Sequence, residues 1–165
     1  SSVATDLLVD VAGWFESGLR AASGELRLVD TRDAVGGSRL SADVPLRVKV
    51  TGVAGVPAGA AGVALNVTAV RTSGWGYLTV WPCGPVDAPS AKPSTSSVNF
   101  TSSGAVEPNA VLVPVDASGE VCVSSSVATD LLVDVAGWFE SGIRAGAGDL
   151  RLVDTRIGKG PSAPR

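Results

Sequence analysis

The sequence predicts an all-β domain, a jelly-roll-like β-sandwich of about eight antiparallel strands. Short segments rich in Val, Leu and Thr alternate apolar and polar residues with a period of two, which is typical of strands with one buried face. Clusters of Gly, Pro and Ser separate these segments and provide turn chemistry. No stretch of ten residues has the period of an amphipathic helix. The pattern therefore favours a β-sandwich, a jelly roll or a compact barrel.

The first predicted strands of the complete domain lie in its N-terminal half. Residues 26–31 form a short strand, and residues 44–50 alternate cleanly, with Arg47 and Lys49 pointing outward. The residues of this second strand that are predicted to point inward are Val44, Leu46, Val48 and Val50. In residues 62–70 the apolar side chains again occupy alternate positions. We therefore expect one face of each of these strands to be buried.

The remaining strands follow at similar spacing. Residues 76–82 form a strand whose Leu and Val residues lie on one side and whose aromatic residues lie on the other. Short strands are expected at 97–100, 110–115 and 120–124, and the sequence Ala-Ser-Gly before the last of them predicts a hairpin loop. Residues 131–139 alternate once more and close the domain.

The sequence contains an internal repeat. Residues 1–32 and 125–156 lie 124 positions apart and differ at four positions. This period is too long for a solenoid unit of about 20–50 residues, and it fits a whole domain of about 100–150 residues. We therefore expect a string of domains. The expected segments are the last strand of a preceding repeat at 1–15, a linker at 16–25, a complete β-sandwich repeat at 26–139, a linker at 140–149 and the first strand of a following repeat at 150–165.

The N-terminal copy of the last strand has no domain of its own in this chain. Its predicted apolar face consists of Leu7, Val9, Val11 and Phe15. Such a strand lies free, pairs with its own chain or inserts into a neighbouring molecule, and strand addition is a route to polymers. The sequence thus indicates that neighbouring copies of the chain are partners.

Composition excludes several functional classes. With 45% hydrophobic and 18% charged residues, the chain is expected to be globular rather than disordered. The net charge of −3 gives no field that would attract nucleic acid, and no apolar run is long enough for membrane insertion. The sequence has no histidine, which removes Ser-His-Asp and Cys-His arrangements and the commonest general base. We therefore expect a protein that is not an enzyme and has no cofactor.

The two cysteines, Cys83 and Cys122, are expected to form one disulfide. The bond would close a loop of about 40 residues and stabilise the fold by roughly 3–4 kcal/mol through chain entropy. The alternative is a pair of buried free thiols. Two cysteines without histidine do not complete a metal site, so no metal is expected here.

One acidic residue lies in the middle of a predicted strand. Asp134 is disfavoured there unless it has a partner, and Arg32 is the candidate for a structural ion pair because a guanidinium can bind a carboxylate through two hydrogen bonds. The lesser alternative is Ca²⁺, coordinated by aspartates and backbone carbonyls.

Three aromatic residues are the candidate ligand platform. Trp75, Tyr77 and Trp81 lie in one short stretch, and Tyr77 and Trp81 share a strand face. Aromatic side chains stack on sugar rings and bury large areas at interfaces. The alternative interpretation is packing between the sheets or over the disulfide near Cys83.

Seven sequence blocks occur in an order that resembles a known family. The blocks are RLVDTR, GVPAGAAGVALNVTAV, GYLTVWPCG, PSTSSVNF, NAVLVPV, GEVCV and TDLLVDVAGWF. Together they are similar to a tandem-repeat β module of secreted and cell-surface actinobacterial proteins. The resemblance implies export and a non-catalytic accessory or surface role. It also supports pairing of Cys83 with Cys122, and it implies no ligand-binding residues.

Two functions follow as hypotheses. The first is a non-catalytic, secreted or cell-surface module that acts as a structural stalk, fibre or array element and self-assembles by strand exchange. The alternative is a carbohydrate- or cell-wall-binding module that recognises extracellular polysaccharide.

Overall fold

The computed structural model describes residues 18–141, which form eight strands in two four-stranded sheets. The strands are β1 (Leu19–Asp30), β2 (Leu46–Lys49), β3 (Gly62–Val70), β4 (Gly76–Pro82), β5 (Val98–Phe100), β6 (Val106–Pro114), β7 (Glu120–Ser125) and β8 (Asp130–Phe139). All pairings between these strands are antiparallel. The predicted all-β sandwich is confirmed.

The order of the strands is that of a jelly roll. One sheet has the order β1-β8-β3-β6 and the other the order β2-β7-β4-β5. Strand β1 therefore pairs with β8, β2 with β7, β3 with β6 and β4 with β5, as if one long hairpin had been folded over into two layers.

The core lies between the two sheets and follows the alternation of the sequence. Val63, Leu65 and Val67 of β3 are buried, whereas Asn66 between them is exposed. Val44 is an exception, since it was predicted to point inward and is 58% exposed. Strand β2 begins only at Leu46, so Val44 still belongs to the preceding turn.

The first predicted linker is wrong over residues 19–25, which belong to β1. This segment shows no apolar alternation, but its first residues pair with the end of β8, with Leu19 opposite Phe139 and Arg20 opposite Trp138. The register then shifts between Ala21 and Leu26. The predicted terminal segments 1–15 and 150–165, and most of the second linker, lie outside the described residues.

The two ends of the domain meet at one end of the sandwich. The backbone N–H of Glu140 donates to the carbonyl oxygen of Gly18 at 3.1 Å, and the guanidinium of Arg20 contacts the carboxylate of Glu140 at 2.9 Å. Strand β8 leads away from this point over ten residues, a length of about 30 Å at ~3.3 Å per residue. The opposite end of the sandwich carries the turn between β7 and β8.

Candidate functional site

The disulfide is the first of the predicted site features that the structure describes. Cys83 and Cys122 are bonded, with their Cα atoms 4.9 Å apart, so the predicted pairing is confirmed. Trp81 lies opposite Cys122 in the register of β4 and β7, is buried, and forms a small cluster with both half-cystines. Its indole N–H donates to the carbonyl oxygen of Ser90 at 3.3 Å. For Trp81 the packing alternative is therefore correct, and this residue is not part of a ligand platform.

The connection between β4 and β5 covers this part of the outer sheet face. The hydroxyl of Thr79 donates to the carbonyl oxygen of Thr95 at 3.3 Å, and the backbone N–H of Val80 donates to the hydroxyl of Ser97 at 3.0 Å. Thr79 is consequently buried although it points away from the core. Tyr77, at the start of the same strand face, is only half-buried.

Trp75 and Tyr77 border a recess beside the β7–β8 turn. The recess has a volume of about 340 Å³ and is lined by Gly74, Trp75, Tyr77, Ser126 and Val127. Trp75 is 78% exposed, the highest exposure of any aromatic residue among the described residues. We refer to this group of five residues as the Trp75 recess. It lies at the end of β8 opposite to the meeting point of the domain ends.

Backbone contacts hold the two walls of the Trp75 recess together. The backbone N–H of Tyr77 donates to the hydroxyl of Ser126, and the backbone N–H of Ser126 donates to the carbonyl oxygen of Tyr77, each at 3.0 Å. Gly76 permits this close approach, because an added Cβ would lie 2.4 Å from Ser126 Oγ and 3.0 Å from the ring of Phe100. The start of β4, directly after Trp75, is thus held against the β7–β8 turn.

Two charged residues extend the site beyond the aromatic pair. The ammonium of Lys92 lies 5.9 Å from the ring centroid of Tyr77, within the range of a cation–π contact, and 2.7 Å from Asp43 Oδ1. Asp43 has a positive φ of 57°, and its backbone N–H donates to the carbonyl oxygen of Ser125 at 2.7 Å. The side chain of Asp43 is thereby held beside Lys92, and through it near the ring of Tyr77, while remaining 67% exposed.

Lys92 and Asp43 are not recognisable as candidates in the sequence. They lie 49 positions apart in two different loops, and neither has a motif around it. The only local signal is the isolated aspartate before a strand, which is a common turn residue.

The predicted ion pair between Arg32 and Asp134 is wrong. Asp134 is opposite Arg27 in the register of β1 and β8, and Arg27 Nε donates to Asp134 Oδ1 at 2.8 Å. Arg32 instead binds Asp30 through two hydrogen bonds of 2.8 and 2.6 Å, because it lies beyond the end of β1 where the chain turns back.

The RLVDTR segment connects the end of β1 to the start of β8. The hydroxyl of Thr31 donates to Asp130 Oδ1 and accepts the backbone N–H of Leu131, both at 2.9 Å. Arg39 contacts Asp130 Oδ2 at 2.6 Å. Hydrogen bonds from Arg32 lower the pKa of the Asp30 carboxyl from 3.8 to about 2. Within the described residues Asp30, Asp130 and Asp134 are thus each bound by an arginine, which indicates a structural role for these carboxylates.

A second cleft of about 470 Å³ lies along the open edge between β1 and β2. Its basic residues already have partners: Arg27 pairs with Asp134, Arg47 pairs with Glu120, and the ammonium of Lys49 donates to the carbonyl oxygen of Ser118.

Asp116 and Glu120 lie close to Cys83, but the sulfur of Cys83 is part of the disulfide and Arg47 contacts both carboxylates. The charged groups of the cleft and of the cluster beside the disulfide therefore already have hydrogen-bond partners among the described residues.

No protein-family model and no curated protein matches this sequence. Within residues 18–141 no helix is long and apolar enough to cross a membrane.

Proposed function

We propose that this chain is a non-catalytic carbohydrate-binding module of an extracellular repeat protein. The observation that carries the proposal is the exposed indole of Trp75, which borders a recess of about 340 Å³ at one end of the sandwich. Scattered exposed aliphatic residues are ordinary on protein surfaces, but a large aromatic side chain beside a recess is informative.

The apolar part of the site suits one face of a sugar ring. An indole presents a flat apolar surface, and aromatic side chains of this size bury about 150–250 Å² when fully covered. Val127 and the half-buried ring of Tyr77 continue the apolar lining next to Trp75. The C–H face of a pyranose covers such a surface while its hydroxyls remain available for hydrogen bonds.

The polar part of the site suits the hydroxyls. Asp43 offers carboxylate oxygens as acceptors and Lys92 offers an ammonium as a donor, and the two are 2.7 Å apart. Because these charges neutralise each other, the pair favours a neutral saccharide with adjacent hydroxyls over a strongly anionic ligand. A few placed polar groups at the border of an apolar recess are typical of small-molecule sites.

The disulfide supports an extracellular location. Disulfides such as Cys83–Cys122 persist in oxidising environments and are rare in the reducing cytosol. The resemblance to secreted and cell-surface repeat modules points in the same direction.

A structural array is the second candidate, favoured by the position of the domain ends. Gly18 and Glu140 are hydrogen-bonded neighbours. In the repeat, Phe15 is the counterpart of Phe139, and only residues 16–18 separate it from the start of β1 at Leu19. Three residues span at most about 10 Å. Successive copies would then be joined close to one end, with each Trp75 recess at the other end, which suits multivalent binding.

The test is binding of the 165-residue chain to a panel of insoluble neutral polysaccharides and purified bacterial cell walls. We expect Trp75→Ala to weaken binding at least tenfold without changing the melting temperature. Val86→Ala is the matched control, because Val86 is 82% exposed and is not one of the residues that line the recess. Binding that is retained by Trp75→Ala, or absent from the unmodified chain across the panel, would remove the proposal.

A further inference from the structure

Strand β8 fills an interior position that the fold requires. It pairs with β1 on one side, from Leu19↔Phe139 to Asp30↔Leu132, and with β3 on the other. Its inward residues Leu131, Val133 and Val135 are buried in the core. A domain without a strand between β1 and β3 would lose these contacts and expose two strand edges.

The sequence contains two copies of this strand, and the domain formed by residues 18–141 has one position for it. Residues 1–15 are identical to residues 125–139. The core residues Leu131, Val133 and Val135 therefore have counterparts in Leu7, Val9 and Val11. The two segments have identical side chains, so they differ only in how they are connected to the rest of the chain.

The N-terminal copy has a short connection to β1. Leu19 lies opposite Phe139, whose counterpart in the N-terminal copy is Phe15. If Phe15 took the position of Phe139 opposite Leu19, residues 16–18 would be the loop of a hairpin, and its register would be the one seen between β1 and β8. Gly18 has a φ of 88°. Three-residue hairpin loops commonly end with a residue of positive φ, for which glycine is preferred.

The turn before β8 is duplicated as well. Ser126 and Val127, which line the Trp75 recess, have counterparts in Ser2 and Val3. Thr129, which pairs with Leu40 through two backbone hydrogen bonds, has a counterpart in Thr5. The N-terminal segment thus carries the residues that form the wall of the recess in addition to those of the strand.

From these relationships we infer that residues 6–15, the counterpart of β8, can replace residues 130–139 between β1 and β3, closing the same domain through a hairpin with β1. The exchange preserves the side-chain contacts of β8 and substitutes a local connection for a distant one, so the cost of loop closure does not oppose it. In a tandem array each such strand can close either the copy before it or the copy after it. The released strand is then available to another copy.

Substitution at one buried position tests this inference. Val133→Asp places a carboxylate in the core, and Val67→Asp does the same on β3, for which the chain has no second copy; both valines are fully buried. We expect Val133→Asp to unfold cooperatively within a few degrees of the unmodified chain, because residues 6–15 take the position. Val67→Asp and the double variant Val9→Asp/Val133→Asp should not fold. If Val133→Asp is as damaging as Val67→Asp, the inference is wrong.

Cross-linking gives a second readout that does not depend on stability. Asn66 lies opposite Asp134, whose counterpart is Asp10. When Asn66→Cys and Asp10→Cys are added to Val133→Asp, the two new cysteines should form an additional disulfide within a monomer. The expected yield is that of the control, in which Asn66→Cys and Asp134→Cys are introduced into the otherwise unmodified chain. No bond to position 10, or a bond found only in dimers, would overturn replacement within the chain.

Discussion

Arg27 and Asp134 face each other across β1 and β8, with Arg27 Nε 2.8 Å and Nη2 3.2 Å from the two carboxylate oxygens. Arg27 also contacts Asp30 at 3.2 Å, so one guanidinium joins the strand pair to the turn that follows β1. The mid-strand aspartate is therefore explained by its cross-strand neighbour.

Removing this pair should have a small effect on stability. Arg27 is 43% exposed and Asp134 is 24% exposed at the side chain, so solvent screening is considerable. We expect Arg27→Gln to lower the free energy of unfolding by about 0.5–1 kcal/mol in urea denaturation. Arg20→Gln, at the more exposed pair with Glu140, is the control and should give no measurable change. Equal losses in both variants would contradict this assignment.

The Asp30 carboxyl should make stability depend on acid pH. Its pKa is about 2 in the folded protein against 3.8 ordinarily, so its contribution is present above 3.8 and is lost as the pH falls toward 2. We expect the melting temperature of the unmodified chain to fall more steeply between pH 4 and pH 2 than that of Asp30→Asn. Parallel curves over that range would show that Asp30 does not carry the effect.

The disulfide should stabilise the fold mainly through the unfolded chain. It joins residues 39 positions apart, which corresponds to roughly 3–4 kcal/mol in the chain-entropy model. The double variant Cys83→Ala/Cys122→Ala should therefore lose about this free energy of unfolding in urea. A loss below about 1 kcal/mol would mean that the cluster with Trp81, rather than the covalent bond, holds this region.

Gly76 should be indispensable for the Trp75 recess. In Gly76→Ala the new Cβ would meet Ser126 Oγ and the ring of Phe100, so the start of β4 must move away from the β7–β8 turn. We expect a loss of stability of about 1–3 kcal/mol and a loss of glycan binding. Gly59→Ala is the matched control, because nothing lies within 4 Å of its added Cβ and Gly59 does not line the recess. Unchanged binding by Gly76→Ala would separate the recess from the binding site.

The sequence predicted most of the fold because burial of alternate residues leaves a clear pattern. Strands such as β3, with Val63, Leu65 and Val67 inward, are recognisable without a structure. The N-terminal half of β1 leaves no such pattern, because it has no apolar alternation and joins the sheet through pairing of Leu19–Ala21 with the end of β8. Strand order was not predicted either, since it arises from contacts distant in sequence.

The candidate site was only partly predictable. The aromatic cluster was identified from its spacing, but sequence could not show that Trp81 is buried against the disulfide whereas Trp75 is exposed. The sequence shows an arginine at Arg32 and another at Arg27, but only the register of β1 and β8 places Arg27 opposite Asp134. Asp43 and Lys92 meet only because two loops fold together.

Carbohydrate recognition at the Trp75 recess can be tested directly by NMR. A titration with a soluble fragment of the bound polysaccharide would follow the indole N–H signals of the four tryptophans. We predict that the signal of Trp75, assigned by its absence from Trp75→Ala, shifts in a saturable manner. The signal of Trp81, buried beside the disulfide, should remain in place. A Trp75 signal that does not change at ligand concentrations that saturate binding would contradict carbohydrate recognition at the Trp75 recess.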